Sequence, residues 1–252
     1  MANTKSKVIA VAKKEVGYLE KKSNKYLDYK KKNAGYRNYT KYNRDMKKIR
    51  KAGTLTDYWC ANFVSWCFAK AYGVKEGKKL MLGYSNYVPY IYNHFKKVKR
   101  TYKSPKVGDI VIFHNQSHVG LCIKVSGGTV YTIEGNTSGG GFNANGGAVC
   151  KKSYPVGSSL IFRYCRPKYA KTVSEYPEVK YGDKNAYVGK AKKMLTYLGY
   201  EGMSTGNGFG KGTLKAVKKF QKKKKLKVDG VIGTKTWNAI ATAYSKKKKS
   251  AK

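Results

Sequence analysis

Acidic residues are scarce in this sequence: 13 Asp and Glu stand against 54 Lys and Arg in 252 residues, which gives a net charge of +41. Both halves share the excess, since 32 basic and 8 acidic residues precede residue 167, while 22 and 5 follow it. A field of this sign concentrates anionic polymers near the protein. Nucleic acid, anionic membrane and wall teichoic acid all fit it, and a lysine-rich genome is the alternative explanation.

Long apolar runs are also missing. No stretch approaches the ~20 apolar residues that a membrane-spanning helix needs, so we expect no transmembrane segment. Residues 1–20 lack a continuous apolar region and a small-residue cleavage site, which predicts no secretory signal peptide. The five cysteines are an odd number in a chain too long to need disulfides. They favour a reduced compartment with free thiols, although a chain whose signal peptide had been removed would look the same.

The residues that are present predict folded domains. Twenty-three tyrosines and 41% apolar residues exclude a disordered chain, because they supply enough surface to bury. Residues 20–57 show little periodicity and are predicted as a mostly irregular surface segment. Helical spacing marks Ser6–Leu19, a helix from Cys60 to Gly73, and Val88–Val98, and short alternating runs between Ile110 and Phe162 mark strands. Helices followed by strands predict an α+β domain with an antiparallel sheet.

The chain length and a change in composition predict a second, smaller domain. The predicted divisions are a first domain over 1–166, a linker over 167–180, a second domain over 181–245 and a basic, disordered tail over 246–252. Within the second domain, Gly210, Thr213 and Ala216 recur 23 residues later as Gly233, Thr236 and Ala239. Two turn-helix units of one design, preceded by a helix ending at Gly199, predict a compact three-helix module.

Three histidines make the search for a histidine-dependent site short. His94 lies at the lysine-rich end of a predicted helix, and His114 ends a strand. His118 opens the strand over 118–125, in which alternate apolar residues face the core. His118, Gly120 and Cys122 therefore share the opposite face of that strand.

A hairpin with a three-residue loop at 126–128 would bring polar groups to His118. That register gives four pairs: Leu121 with Ile133, Ile123 with Tyr131, Gly120 with Glu134, and His118 with Asn136. A carboxylate and an amide then lie within reach of the imidazole. A two-residue loop would instead set Glu134 opposite core-facing Leu121, which is unfavourable.

Cys60 is the candidate nucleophile because it begins a predicted helix. The unpaired N–H groups and partial positive charge of a helix N-terminus favour a thiolate and can bind an oxyanion. Cys67 falls on the buried face of the same helix, whereas Cys122 shares the face of His118 and is the rival nucleophile. The structural alternative for Cys60 is a small buried hydrophobic residue.

Four motifs carry a resemblance to a known family. They are Asp57–Cys67 (DYWCANFVSWC), Gly108–Phe113 (GDIVIF), Ser117–Gly120 (SHVG) and Ile133–Asn136 (IEGN). In this order they resemble the CHAP amidases and endopeptidases, over most of residues 1–166. The resemblance implies a papain-like fold, with Cys60 as nucleophile, His118 as base, Glu134 orienting the imidazole and Asn136 as part of the site. Some members hold calcium on clustered aspartates near the N-terminus; no such cluster exists here, so neither a metal nor another cofactor is expected.

The C-terminal segment resembles the three-helix peptidoglycan-binding domain of the first type. The resemblance is carried by Phe209–Thr213, Ala216–Gln221 and Asp229–Trp237. The sequence departs from that pattern at Gly206-Asn207, where the family usually has Asp-Gly, and at the basic turn Lys222–Lys225. These departures leave the ligand contacts open.

Together the two resemblances imply a peptidoglycan hydrolase that cleaves an amide bond of the wall peptide, acting as a monomer. Peptidoglycan and anionic wall polymers are the expected partners, and nucleic acid is not expected as a specific target. A wall target without a secretion signal implies a phage endolysin held in the host cytoplasm before release. The alternatives are an exported bacterial autolysin, a γ-glutamyl wall endopeptidase, or a non-catalytic protein that binds wall polymer or nucleic acid through its charge.

Overall fold

The computed structural model describes residues 3–138, 147–170 and 176–250. The chain divides into two compact units, Asn3–Ala170 and Lys171–Lys252. The predicted linker over 167–180 includes residues 171–175, and the predicted tail ends at 251–252; both stretches lie outside the described residues. The domain boundaries drawn from the sequence therefore stay predictions.

In its described residues the first unit combines five α-helices and a short 3₁₀ helix (His114–Gln116) with one antiparallel sheet, so the predicted α+β class is confirmed. The helices are α1 (Lys5–Glu15), α2 (Lys41–Arg50), α3 (Cys60–Tyr72), α4 (Val74–Met81) and α5 (Val88–Lys97). The strands are β1 (Thr101–Tyr102), β2 (Ile110–Phe113), β3 (His118–Ser126), β4 (Thr129–Thr137), β5 (Ala148–Pro155) and β6 (Ile161–Cys165). Their order in the sheet is β1-β6-β2-β3-β4-β5, with every neighbouring pair antiparallel.

Helix α3 lies at the centre of the core. Ten consecutive residues, Cys60–Ala69, are buried, because α1, α2 and α4 pack around the helix and strands β3 and β4 lie against it. A helix buried on all sides has to be apolar all round, which the sequence of α3 largely is. The start of α3, and with it Cys60, is thereby fixed against strands β3 and β4.

The β3–β4 hairpin differs from the prediction in its loop but agrees with it at the site. The loop has two residues, Gly127 and Gly128, with φ of +55° and +71°, and it joins the pair Ser126 and Thr129. Two consecutive residues at positive φ are typical of a type I′ turn, which glycine adopts without steric cost. The predicted three-residue loop was therefore wrong.

A bulge restores the predicted register further along the hairpin. Tyr131 pairs with Lys124 rather than with Ile123, and Ile123 is the extra residue on β3. Beyond it, Gly120 pairs with Glu134, as the sequence predicted. The bulge thus offsets the shorter loop, and Glu134 keeps its predicted place opposite Gly120.

Several elements do not follow from the sequence patterns. Residues 20–57, predicted as mostly irregular, contain α2, and α4, β1 and β5 were not predicted. Along α2 only Tyr42, Met46 and Ile49 are large and apolar, and charged residues separate them, so the helical spacing is hard to read. Among the described residues, no helix has the length and apolar character needed to cross a bilayer.

The second unit contains the three predicted helices, α6 (Ala186–Tyr197), α7 (Lys211–Lys223) and α8 (Thr234–Ser250). Leu195, Phe220, Trp237 and Ile240 are fully buried in its core, as predicted. Helix α8 continues through residues 246–249, so the prediction of a disordered tail was wrong for these residues.

Candidate active site

Cys60 is the first residue of α3, and its side chain is only 6% exposed. The residue before it, Trp59, is held from two sides. Its indole Nε1–H donates to Glu20 Oε2 at 2.9 Å, and its ring stacks on Tyr42 with the centroids 5.4 Å apart. Because Trp59 is buried and fixed, the position at which the helix begins is fixed as well.

A network of amide side chains holds the loop that leads to Cys60. Asn43 Nδ2 donates to the carbonyl oxygens of Leu55 at 3.2 Å and Asp57 at 2.8 Å. Asn62, in the first turn of α3, donates to Asn43 Oδ1 at 2.7 Å and accepts from Arg50 Nη2 at 3.2 Å. The loop and the helix start are therefore fastened to α2.

His118 and Glu134 form a hydrogen-bonded pair on adjacent strands. His118 Nε2–H donates to Glu134 Oε2 at 3.1 Å, and the side chain of Glu134 is 1% exposed. The other oxygen, Oε1, accepts from the hydroxyl groups of Thr132 and of Tyr154, the latter at 3.0 Å. Three donors thus satisfy the buried carboxyl group of Glu134 and fix its orientation.

The electrostatics of His118 connect it to Cys60. Burial lowers the pKa of His118, but hydrogen bonds with Cys60 and Glu134, and the charges of these two groups, outweigh burial and raise the pKa to about 9. Since Nε2 faces Glu134, Nδ1 is the ring nitrogen left for Cys60. Three of the residues predicted for the site, Cys60, His118 and Glu134, therefore lie together in the predicted order.

Two glycines make this arrangement sterically possible. A Cβ on Gly120 would lie 2.6 Å from Glu134 Cγ and 3.4 Å from Phe113 Cε2. A Cβ on Gly135 would lie 2.7 Å from Phe63 Cβ and 2.8 Å from Trp59 Cζ3. Gly120 therefore leaves room for the carboxylate, and Gly135 lets β4 approach the first turn of α3.

The fourth predicted residue, Asn136, occupies a different setting. It has φ of +56°, is half-buried, and lies where the pairing of β4 with β5 is interrupted between Glu134 and Thr137. The hairpin pairing within the described residues ends at Gly120 and Glu134, so the predicted pairing of Asn136 with His118 is not formed. A role for Asn136 in the site stays a prediction.

Sequence reasoning missed four groups that support the site: Glu20, Trp59, Thr132 and Tyr154. Strand alternation could have found Thr132, because it lies two residues before Glu134 and so shares its face. Tyr154 belongs to β5, which was not predicted, and Glu20 lies in the segment read as irregular. No sequence pattern indicated that Tyr154 or Glu20 lies near the site.

The rival nucleophile, Cys122, is in an unsuitable environment. Burial, together with the nearby negative charge of Asp109, raises the pKa of the Cys122 thiol to about 12. Burial also raises the pKa of Cys165 to about 12 and that of Cys67 well above its usual range. Thiols held protonated in this way are poor nucleophiles.

The Gly108-Asp109 motif has a structural role. Asp109 is buried, accepts from the backbone N–H of Lys106 at 2.7 Å, and forms an ion pair with Arg166 Nη2 at 2.8 Å. This pair ties the start of β2 to the residue that follows β6. In the part of the chain that the structure describes, His, Cys, Asp and Glu form no cluster of three suited to a metal ion.

Comparison with protein families finds two matches. Residues 51–136 match the model described as CHAP domain, and residues 184–240 match the one described as putative peptidoglycan binding domain. The first match contains Cys60, His118 and Glu134, and the second covers α6, α7 and the first part of α8. No curated protein matches the chain.

Two solved structures show weak similarity. A periplasmic domain of the EpsAB fusion protein of the Vibrio vulnificus type II secretion system is 13% identical, with a TM-score of 0.25, over 54% of this chain and 57% of that one. A peptidoglycan-binding protein from Clostridioides difficile, in complex with glutamine hydroxamate, is 29% identical, with a TM-score of 0.26, over 43% of this chain and 70% of that one. The chain thus spans little more than half of the first structure, and at these TM-scores neither likeness bears on function.

Proposed function

The chain combines a CHAP domain with a peptidoglycan-binding domain, two modules that support a peptidoglycan hydrolase, and from this premise we propose that it cleaves an amide bond of the bacterial wall peptide with Cys60 as nucleophile. One observation carries the proposal. Cys60 lies at the N-terminus of α3, where it helps to raise the pKa of His118, and His118 in turn donates to the buried carboxylate of Glu134. A nucleophile, a base and a group that orients the base are the three parts that this chemistry needs.

In the proposed reaction the Cys60 thiolate attacks the scissile carbonyl carbon and forms a tetrahedral oxyanion. The first backbone bond of α3 runs from Phe63 N–H to Trp59 O at 2.8 Å. The N–H groups of Cys60 and Ala61 precede it, so they have no partner within the helix and are available to the oxyanion.

Collapse of the oxyanion breaks the C–N bond, and the leaving amine takes its proton from the imidazolium of His118. With its pKa raised to about 9, His118 carries that proton at neutral pH. Water then attacks the thioester while the neutral imidazole accepts a proton from it; cleavage of the C–S bond frees the new carboxyl group and returns the Cys60 thiolate beside the protonated His118. Throughout, Glu134 keeps Nε2 protonated and Nδ1 directed at the reacting atoms.

Substitution of Cys60 tests the proposal, with a matched control on the same helix. We expect Cys60→Ala to abolish clearing of purified walls while binding to those walls is unchanged. Cys67→Ala removes a second buried thiol from α3, one that has no part in the mechanism, and should clear walls at the normal rate once corrected for any loss of folded protein. Wall lysis by Cys60→Ala would remove the assignment of the nucleophile.

The products identify the bond. An N-acetylmuramoyl-L-alanine amidase would release peptides with a free N-terminal L-alanine, whereas a peptide endopeptidase would expose an amine within the stem or cross-bridge. Mass spectrometry of fragments from a wall of defined structure distinguishes the two. Fragments cut only between sugars would contradict amide hydrolysis altogether.

We further propose that the protein acts as a phage endolysin, reaching the wall only after the membrane is permeabilised. Its production inside a susceptible bacterium should leave cells intact until a membrane-permeabilising agent is added, and lysis should then be rapid. Lysis without such an agent would favour an exported autolysin.

A further inference from the structure

A basic cavity lies at the end of α2, and Cys60, His118 and Glu134 are not among its lining residues. It has a volume of about 600 Å³, and four of its lining side chains, Arg44, Lys47, Lys48 and Lys51, are cationic. None of its lining residues is acidic. The other lining residues are Asn24, Ala52, Gly53 and Leu55. The cavity is therefore a concave site with one sign of charge, which focuses the field on whatever enters it.

The four cations differ in their availability. Arg44 is already neutralised: its Nη1 and Nη2 donate to the two oxygens of Asp28 at 2.8 Å, and its Nε donates to Asp45 at 2.9 Å. Lys47, Lys48 and Lys51 are exposed, and among the described residues none of the three has an ion pair or a side-chain hydrogen bond. Three lysines without a carboxylate partner among the described residues thus line the cavity.

The presence of two of these lysines can be explained by the helix dipole alone, without any ligand. Cations in the last turn of a helix offset its dipole, and Lys47 and Lys48 occupy the last turn of α2. Helix α5 ends in the same way, with Lys96 and Lys97 in its last turn and Lys99 beyond it. Lys51 and Lys99 even share a left-handed backbone, with φ of +57° and +55°. The three α2 lysines, in addition, line one cavity.

The lining also indicates the chemistry of the ligand. Ammonium groups bind phosphate as point charges, and a cavity of about 600 Å³ is far larger than one phosphate, so it suits a stretch of polymer. Proteins that hold single-stranded nucleic acid use aromatic rings on which bases stack. No aromatic side chain lines this cavity, and Ala52 and Leu55 offer only small apolar contacts. The site fits a phosphodiester chain without bases.

We propose that this cavity binds a polyol-phosphate polymer of the bacterial wall through Lys47, Lys48 and Lys51, so that the hydrolase domain has an anchor separate from its active site and from the peptidoglycan-binding domain. The wall as its setting rests on the proposed function; the chemistry of binding does not. The chain then binds two chemically different components of the wall: peptidoglycan through its second domain and the phosphate polymer through this cavity.

The test compares two triple variants of equal charge in the full chain carrying Cys60→Ala. One removes the cavity lysines (Lys47→Gln, Lys48→Gln, Lys51→Gln), and the matched control removes the lysines at the end of α5 (Lys96→Gln, Lys97→Gln, Lys99→Gln). Binding of purified poly(glycerol phosphate) is measured across a salt series. A plot of the logarithm of the binding constant against the logarithm of salt concentration has a negative slope. Loss of three phosphate contacts should make that slope shallower by about 2 and weaken binding about a hundredfold at ~0.1 M salt. The control should lose only a few fold.

Three outcomes would overturn the proposal. Equal losses in the two triple variants would show that net charge alone drives binding, and no loss in the cavity variant would place the polymer elsewhere. If the cavity variant lost affinity for single-stranded DNA and not for poly(glycerol phosphate), the site would be a nucleic-acid site. Circular dichroism confirms that each variant is folded.

The proposed hydrolysis is judged by a separate measurement. The cavity substitutions, introduced into the chain that retains Cys60, should clear walls chemically stripped of phosphate polymers at the normal rate. If neither that chain nor the unsubstituted chain cleared such walls, the hydrolase proposal would be contradicted. The result on polymer binding would be unaffected.

Discussion

Gly120→Ala should disable the site without touching any reacting group. Gly120 and Glu134 are paired on neighbouring strands, and the added Cβ would lie 2.6 Å from Glu134 Cγ. Carbon atoms rest about 3.5–4.0 Å apart, so the two must separate by about 1 Å. Glu134 cannot yield freely, because its carboxylate is held by His118, Thr132 and Tyr154.

The size of the effect follows from that displacement. A misplacement of about 1 Å in a catalytic constellation costs about 10²-fold in rate. Overpacking of a well-filled interior costs about 1–3 kcal/mol in the free energy of unfolding, so the domain should still fold. We therefore expect wall clearing by Gly120→Ala to fall about a hundredfold per folded molecule, with urea unfolding giving the folded fraction.

Two comparisons make the reasoning refutable. Gly208→Ala adds the same methyl group at a position where no atom lies within 4 Å, and it should keep full activity. In a Glu134→Gln background, Gly120→Ala should reduce the rate by far less than it does alone, since both changes act on the orientation of His118. Independent, multiplicative losses would show that Gly120 does not act through Glu134.

Two further predictions concern pH and the second unit. The pKa of His118 is raised from 6.5 to about 9, so its stabilising effect is complete below pH 6.5 and is lost as the pH rises through about 9. The difference in unfolding free energy between the chain and His118→Gln should therefore shrink by about 3 kcal/mol between about pH 6 and pH 10, and a constant difference in urea titrations would contradict this. Trp237 is fully buried, so Trp237→Ala should cost about 3–5 kcal/mol, unfold the second unit and abolish pelleting with walls stripped of phosphate polymers, whereas retained binding to such walls would place the peptidoglycan contacts elsewhere.

The sequence was most informative where local pattern and chemistry coincide. Cys60 begins a helix because apolar spacing starts there, and strand alternation separated His118 from the core face. The pairing of Gly120 with Glu134 was also predicted, although through a hairpin loop of the wrong length. Because a one-residue bulge at Ile123 offsets the one-residue difference in the loop, two deviations cancel at the site.

The remaining features depend on contacts between distant parts of the chain. Glu20 lies 39 residues before Trp59, and nothing in either segment predicts their hydrogen bond. Tyr154 reaches Glu134 from a strand whose lysines hide its alternation. Helix α2 is held by Tyr42 and Asn43, which bind groups in the core and in the loop before Cys60, so its stability comes from tertiary contacts more than from its own sequence.

The close approach of β4 to α3 at Gly135 ties the chemistry to the main chain. Gly135 has no side chain, so its backbone packs closely against Phe63 and Trp59. Strand β4, which carries Glu134, and helix α3, which carries Cys60, therefore share one contact surface. Their separation is set by two rigid elements meeting without a spacer, and no long side chain has to be ordered to maintain it. A larger side chain at Gly135, or at Phe63 or Trp59, would move His118 away from the Cys60 sulfur, unless the residue on the other side of the contact became smaller by the same amount.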